Sequence, residues 1–201
     1  MHIEIVRMSY KSIIFLKFNA NVFGRVKKMN REKLKTYNKN RSIVQICYIT
    51  NDYEETIKFF TEKLLIGPWT IMKHQSGTTK VKELFGKRLE EEFSFFCASA
   101  WVGEMEFEII QPEKGPNPFS LFLEEKGPGI HHIKEKIADS DLLERCREYR
   151  RLGNSVSFHG EFQEDIFIYL DTMEQLGAMY ELGNCPLIEN NPVIIGYYPE
   201  H

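Results

Sequence analysis

Four polar side chains sit in stretches where polar side chains are costly. Gln45 lies in Ile43-Val44-Gln45-Ile46-Cys47-Tyr48-Ile49, Glu108 in Glu104-Met105-Glu106-Phe107-Glu108-Ile109-Ile110, His132 in Ile130-His131-His132-Ile133, and Glu181 in Ala178-Met179-Tyr180-Glu181-Leu182. Each run reads as an apolar strand. Together the four offer one imidazole, one amide oxygen and two carboxylates, a donor set for a borderline-to-hard divalent cation such as zinc, nickel, cobalt or manganese, with waters completing the shell. A cation so held can bind a substrate carbonyl and stabilise an enolate, so that a proton on the adjacent carbon is removable at neutral pH. An oxygenase site of two histidines and one carboxylate would need a second histidine. His131 follows the strand alternation to the opposite face from His132, and His159 falls in another strand, so iron-dependent ring cleavage is not expected. No serine, cysteine and histidine triad is evident, and Gly115 to Gly129 lacks the G-K-[ST] ending of a phosphate loop.

The elements that must position these residues occur twice. Asp52 comes seven residues after Gln45 and Asp139 seven after His132, and each opens a helical pattern. Tyr53, Ile57, Phe60 and Leu64 form the first stripe, and Leu142, Leu143, Cys146 and Tyr149 the second. Two further strands and the glutamate-bearing strand complete each copy, so the order is β-α-β-β-β over residues 42–112 and again over 130–184. The fold class is α+β, with the four polar residues at repeat-equivalent points meeting in a central cleft. Glu106 shares the face of Glu108, but at the strand's start it reads as solvated. Residues 73–92 are polar without a clean period and read as a mobile loop covering a pocket, with a helical turn near Val81 to Phe85. Asn117-Pro118 caps a short helix carrying Phe119, Phe122 and Leu123, and Gly127-Pro128-Gly129 then resets the chain.

Charge divides the chain. Residues 1–41 hold 11 of the 26 Lys and Arg and only 2 of the 29 acids, so this segment carries about +9 and the remainder about -12. An acidic body argues against a nucleic-acid partner. The basic segment 1–41 reads as a flexible extension, dispensable for folding. No stretch reaches the roughly 18 apolar residues of a membrane span, and no secretory signal is convincing. Cys47, Cys97, Cys146 and Cys185 show no CxxC spacing and read as reduced thiols of a cytoplasmic protein. The tail 185–201 is expected to lie over the surface, with Ile194, Ile195, Tyr197 and Tyr198 apolar enough to dock on the body or on a second subunit, as in a homodimer.

The repeated unit resembles the vicinal oxygen chelate superfamily, which includes glyoxalase I and methylmalonyl-CoA epimerase. The resemblance covers about residues 42–184. It rests most specifically on Glu108-Ile-Ile-Gln-Pro112, on the Phe119-to-Leu123 helix with Gly127-to-Ile133, and on Tyr169-Leu-Asp-Thr172 with Gly177-Ala-Met-Tyr-Glu181. It implies a divalent metal held by Gln45, Glu108, His132 and Glu181. It also implies an acyl-CoA or 2-oxo substrate, Glu108 as a carboxylate that keeps the ion in place, and Glu181 as a carboxylate that leaves the ion to take the proton. The positions with which glyoxalase I holds glutathione fall on Ile49 and Pro112, and the additional glutamate base of the epimerases falls near Ser94, with Glu91 and Glu92 the nearest carboxylates. Three function classes follow: a metal-dependent isomerase, epimerase or lyase, either epimerase-like or lactoylglutathione-lyase-like; a non-catalytic small-molecule binder on the same fold; and an interaction protein, for which polar residues inside apolar strands would be costly.

Overall fold

The computed structural model describes residues 29–186 and 192–200. The basic stretch 1–28 lies outside the described residues. In chain order the elements are α1 (Arg31–Asn38), β1 (Ser42–Ile49), α2 (Tyr53–Leu64), β2 (Trp69–Gln75), β3 (Thr79–Leu84), β4 (Lys87–Arg88), β5 (Ser94–Val102), β6 (Met105–Lys114), α3 (Pro118–Lys126), β7 (Gly129–Lys136), α4 (Asp139–Arg151), β8 (Val156–Phe162), β9 (Asp165–Leu170), α5 (Met173–Leu176), β10 (Met179–Gly183) and β11 (Ile194–Tyr198).

Local chemistry explains the boundaries. The Asp52 carboxylate accepts from the Glu55 amide and starts α2, and Leu65 ends it in the left-handed region. Asn117 accepts from the amides of Phe119 and Ser120, the Ser120 hydroxyl accepts from the Asn117 amide, and Pro118 follows the cap, which fixes the start of α3.

All eleven strands form one sheet in the order β11-β2-β5-β6-β1-β7-β10-β9-β8-β3-β4. β1 runs parallel to β6 and β7 parallel to β10, while β1 and β7 pair antiparallel at the centre. The halves β2-β5-β6-β1 and β7-β10-β9-β8 are therefore related by a pseudo-twofold axis, as the doubled β-α-β-β-β unit requires. The sheet curls into a half-barrel. Its inner face carries a core of Cys47, Ile49, Phe119, Phe122, Phe158, Tyr169 and Met179. On the outer face, Ile57 of α2 packs with Trp69 and Ile109, and Leu142 of α4 with Leu170 and Leu182. Each such large apolar side chain contributes about 1.5–3 kcal/mol by burial.

Two segments differ from the expectation drawn from sequence. Residues 73–92 are not a mobile loop: β2 continues to Gln75, and Val81 to Leu84 are strand rather than a helical turn, pairing with the outer edge of β8. A strand near the sheet edge, followed only by the two-residue β4 and half-exposed, has no need of a strong apolar period, which is why its pattern was weak. In the tail, β11 pairs with the outer edge of β2. Each half thus closes the free edge of the other. The N-terminal side also extends the folded unit, because Arg41 donates from Nε and Nη2 to the Glu135 carboxylate at 2.7 and 2.6 Å. Tyr37 of α1 donates to Glu148 at 2.9 Å. The packed body accordingly reaches back to α1.

Candidate metal centre

His132 stands at the middle of the sheet, where the two halves meet. Strict alternation would send His131 to the other face, and β7 breaks it with a bulge. Cys47 faces His132 across the ladder, but Tyr48 faces Ile130, so His131 is the extra residue. Both imidazoles are fully buried, and the two Nδ1 atoms lie 2.9 Å apart. His131 is packed edge-on against Phe119 and Phe122 of α3 and Tyr169 of β9, on the side of His132 and not on the opposite face that alternation predicts.

The four residues singled out by sequence converge on one atom. His132 Nε2 lies 3.1 Å from Gln45 Oε1 of β1, 3.3 Å from Glu108 Oε2 of β6 and 2.9 Å from Glu181 Oε2 of β10. Three oxygens from three strands thus surround a single ring nitrogen. Neighbours hold them in that orientation. Gln45 donates from Nε2 to Glu106 Oε2 at 2.8 Å, which turns its amide oxygen inward, and Glu106 is held in turn by the Ser99 hydroxyl. The Cys97 thiol donates to Glu108 at 3.3 Å.

Burial opposes charge on His132, Glu108 and Glu181, and their mutual attraction, with that of Lys134, outweighs it. Burial lowers the proton affinity of His132, but Glu181 and Glu108 raise its pKa to about 9. Burial raises that of Glu108, but the His132 contact and Lys134 bring it down to about 2. Glu181 is likewise lowered, against burial, by Lys134 and His132. His131 is driven well below the usual histidine range by burial and by charged His132, and stays neutral. The Nδ1 contact therefore has His132 as donor and His131 as acceptor. This leaves the His131 proton on Nε2, which has no hydrogen-bond partner among the described residues.

This arrangement fits a divalent cation. Its oxygens already converge on one buried positive nitrogen, and the amide that donates one of them is oriented by a carboxylate behind it. The imidazole gives its other N–H to a neighbour, leaving Nε2 as the ligand atom. Cys47, Glu108 and His132 also offer ligand atoms within 4.8 Å of one another. The oxygen set places three ligand atoms from three strands within 3.3 Å of His132 Nε2 and is the better match.

Sequence reasoning missed three site residues. Glu106, assigned to a solvated strand end, is the group that orients Gln45. Lys134, two residues beyond His132 on the same face, is buried, with Nζ 2.9 Å from Glu181 Oε1 and 3.9 Å from Asp165 Oδ1. Asp165 opens β9 on the same cavity. Strand alternation puts Glu106 and Lys134 on the ligand face, each two positions from a chosen residue, but does not say how deep either lies. The expected base Glu181 has both oxygens engaged, one by Lys134 and one by His132. Glu91 and Glu92 are exposed, and Ser94 donates its hydroxyl to Glu113.

Beside the centre lies a cavity of about 80 Å³. Gln45, Glu108, Lys134, Asp165 and Glu181 form its polar side, and Phe93, Phe95, Phe119, Phe158, Phe162 and Phe167 its apolar wall, with His74 stacked on Phe95. Burial lowers the His74 pKa to about 4, so it adds no charge near neutral pH.

No protein-family model matches the chain, and no curated protein matches by sequence. Solved structures do. The hypothetical protein BH1468 from Bacillus halodurans C-125 superposes with a TM-score of 0.57 at 16% identity, covering 76% of this chain and 99% of that one. A Streptomyces coelicolor methylmalonyl-CoA epimerase variant, in complex with 2-nitronate-propionyl-CoA, gives 0.52 at 19%, covering 75% and 98%. Methylmalonyl-CoA epimerase from Mycobacterium tuberculosis gives 0.50 at 15%, covering 70% and 85%. Identities this low speak for architecture alone. No helix among the described residues is long and apolar enough to cross a membrane. With two β-α-β-β-β units joined through β1 and β7 around one inner cleft, the chain has the glyoxalase, or vicinal oxygen chelate, fold.

Proposed function

We propose that the protein is a metal-dependent isomerase, epimerase or lyase that moves a proton at a carbon next to the carbonyl of a small acyl-thioester or 2-oxo compound. Gln45, Glu108, His132 and Glu181 hold the ion, which is zinc, nickel, cobalt or manganese. The observation that carries this is the meeting of three oxygens from three strands within 3.3 Å of one imidazole nitrogen, in a buried site already braced by Glu106 and His131.

When bound, the ion supplies Lewis acidity toward a carbonyl oxygen and lowers the cost of the developing enolate charge. The chain's own residues provide the rest. Glu106 keeps the Gln45 oxygen inward, and His131 keeps the His132 proton on Nδ1. Lys134 offsets the charge of Glu181 and makes that carboxylate a poor proton acceptor, so its part is to hold. The phenylalanine wall excludes water, which strengthens every electrostatic contact within. The cavity lined by Gln45, Glu108, Lys134, Asp165 and Glu181 would receive the reacting end of a substrate. The acyl-CoA analogue bound by the Streptomyces coelicolor neighbour supports the acyl-thioester member of the substrate class.

The test begins with protein stripped by chelator and reloaded with each of the four metals. One equivalent of ion is expected in the parent, and little in His132→Ala or Glu108→Ala. Solvent deuterium incorporation at the α-carbon is then followed across 2-methyl acyl-CoA esters and 2-oxoaldehyde thiol adducts. Full metal retention in both variants would sink the ligand assignment. A loaded parent that binds these compounds yet exchanges no α-proton would make the protein a binder rather than an enzyme.

A further inference from the structure

One carboxylate on the cavity is used by none of the contacts that hold the metal centre. Asp165 opens β9, on the half of the sheet opposite Glu108. Its Oδ1 is buried and has no hydrogen-bond partner among the described residues. Lys134 Nζ is near, at 3.9 Å, but beyond hydrogen-bond reach, whereas the same ammonium touches Glu181 Oε1 at 2.9 Å. The two carboxylates flanking Lys134 therefore differ: Glu181 is fully engaged and Asp165 is not.

The position of Lys134 is itself built. Its stem crosses Gly183 so closely that a Cβ there would lie 2.4 Å from Lys134 Cε, so only glycine leaves the lysine its path. A buried carboxylate oxygen without a donor is costly, and such groups persist where something else uses them. Burial favours the proton-bound form of Asp165 and Lys134 opposes it, with a net rise in proton affinity. That makes Asp165 a stronger proton acceptor than an ordinary aspartate.

We propose that Asp165 is the general base of the reaction, an inference that rests on the metal-assisted proton transfer proposed above. The C–H bond next to the substrate carbonyl breaks, its proton passes to Asp165 Oδ1, and the electron pair delocalises onto the carbonyl oxygen as an enolate. Return of the proton to carbon, on either face, closes the cycle and consumes no other reactant. Lys134 keeps Asp165 ionised before the transfer without occupying the oxygen that receives the proton. Glu108 and Glu181 are left free to hold the ion throughout.

The experiment measures metal content and α-proton exchange together in the metal-loaded parent, Asp165→Asn, Asp165→Glu and Asp165→Ala. Asp165→Asn is expected to keep its full equivalent of metal and to lose exchange by about a hundredfold or more. Asp165→Glu should retain part of it, and added formate should restore part of it to Asp165→Ala. Exchange at the parent rate in Asp165→Asn overturns the inference alone, as does loss of metal from that variant, which would make Asp165 a support of the metal site. A parent that exchanges no α-proton overturns the reading beneath and this inference with it.

Discussion

Strand β7 carries two buried ionic clusters on its two faces, and they are finished to different degrees. On the outer face Glu135 accepts from Arg41 Nε and Nη2, Arg145 Nη1, Tyr149 Oη and Tyr180 Oη, at 2.6 to 3.2 Å. Tyr37 completes the group by donating to Glu148 and lying under the Arg145 guanidinium. On the inner face His132 and Lys134 meet Glu108, Glu181 and Asp165, yet Asp165 Oδ1 and the neighbouring His131 Nε2 have no hydrogen-bond partner among the described residues. The outer cluster has spent its hydrogen-bonding capacity on itself and ties α1, β7, α4 and β10 together. Both line open space, Arg41, Tyr149 and Tyr180 on the outside and Lys134 and Asp165 on the inside, but the inner one keeps capacity in reserve. Burial and charge alone do not separate a clamp from a working site; unfinished bonding beside a space does.

The sharpest way to break this comparison is to remove the acid at the centre of the clamp. Glu135→Ala leaves the half-buried Arg41 without its carboxylate and is expected to cost about 3 kcal/mol, the low end for a broken buried pair. For a chain of this size that lowers Tm by on the order of 10 °C. The metal equivalent of the folded variant should be unchanged. A chain beginning at Ser42 removes Arg41 from the other side and should also melt several degrees lower, which thermal unfolding followed by circular dichroism would show. Equal melting of the shortened chain would mean that the clamp adds nothing.

The inner cluster should respond to ion rather than to truncation. An ion supplied at about a hundred times its Kd stabilises the parent by about 2.7 kcal/mol, a rise in Tm of roughly 5–10 °C that chelator reverses. His132→Ala should show neither the rise nor its reversal. The same rise in His132→Ala would place the ion elsewhere.

A smaller effect is expected from Gly183→Ala. The new methyl meets the stem of Lys134, and displacing a packed side chain costs about 1–3 kcal/mol. Because the lysine would leave Glu181 and Asp165, proton exchange should fall more than stability does. If exchange and stability are both those of the parent, Lys134 can move without consequence and its place between the two carboxylates is incidental.

What sequence alone made legible follows from what strands do to side chains. The doubled unit was readable because each copy pairs an apolar run with a capped helix, and the repeat then set Gln45, Glu108, His132 and Glu181 at equivalent points. Alternation tells which face a residue takes but not how deep it lies, so Glu106 looked solvated at the start of β6 although Ser99 and Gln45 enclose it. Alternation also fails at a bulge, and the one in β7 turned His131 inward beside His132. Pairings at the sheet edges were illegible for another reason. Besides its hairpin partner β4, β3 pairs with β8 in the opposite half, and a polar strand near the edge carries no local mark of a partner so distant in sequence.

The mildest separation of the two clusters is by acid, and its sign follows from Glu135. Burial alone would raise the pKa of this carboxyl, but donation by Arg41, Tyr180 and Tyr149 lowers it below the ordinary glutamate value. A group whose pKa is depressed on folding contributes stability that is fully present above its unfolded pKa, near 4.3, and lost as pH falls through its folded value. The parent should therefore shed this contribution only on the acid side of that value and keep it through neutral pH. Glu135→Gln keeps the shape and gives up the titration, so the two stability curves should run nearly parallel from pH 6 to 8 and converge as the solution is acidified. Denaturant unfolding at closely spaced pH values in chelator, where no bound ion contributes, isolates the outer cluster. Curves that stay parallel below pH 4 would show that the arginine and tyrosines hold the protonated acid as well as the charged one, and the clamp would then owe its strength to shape more than to charge.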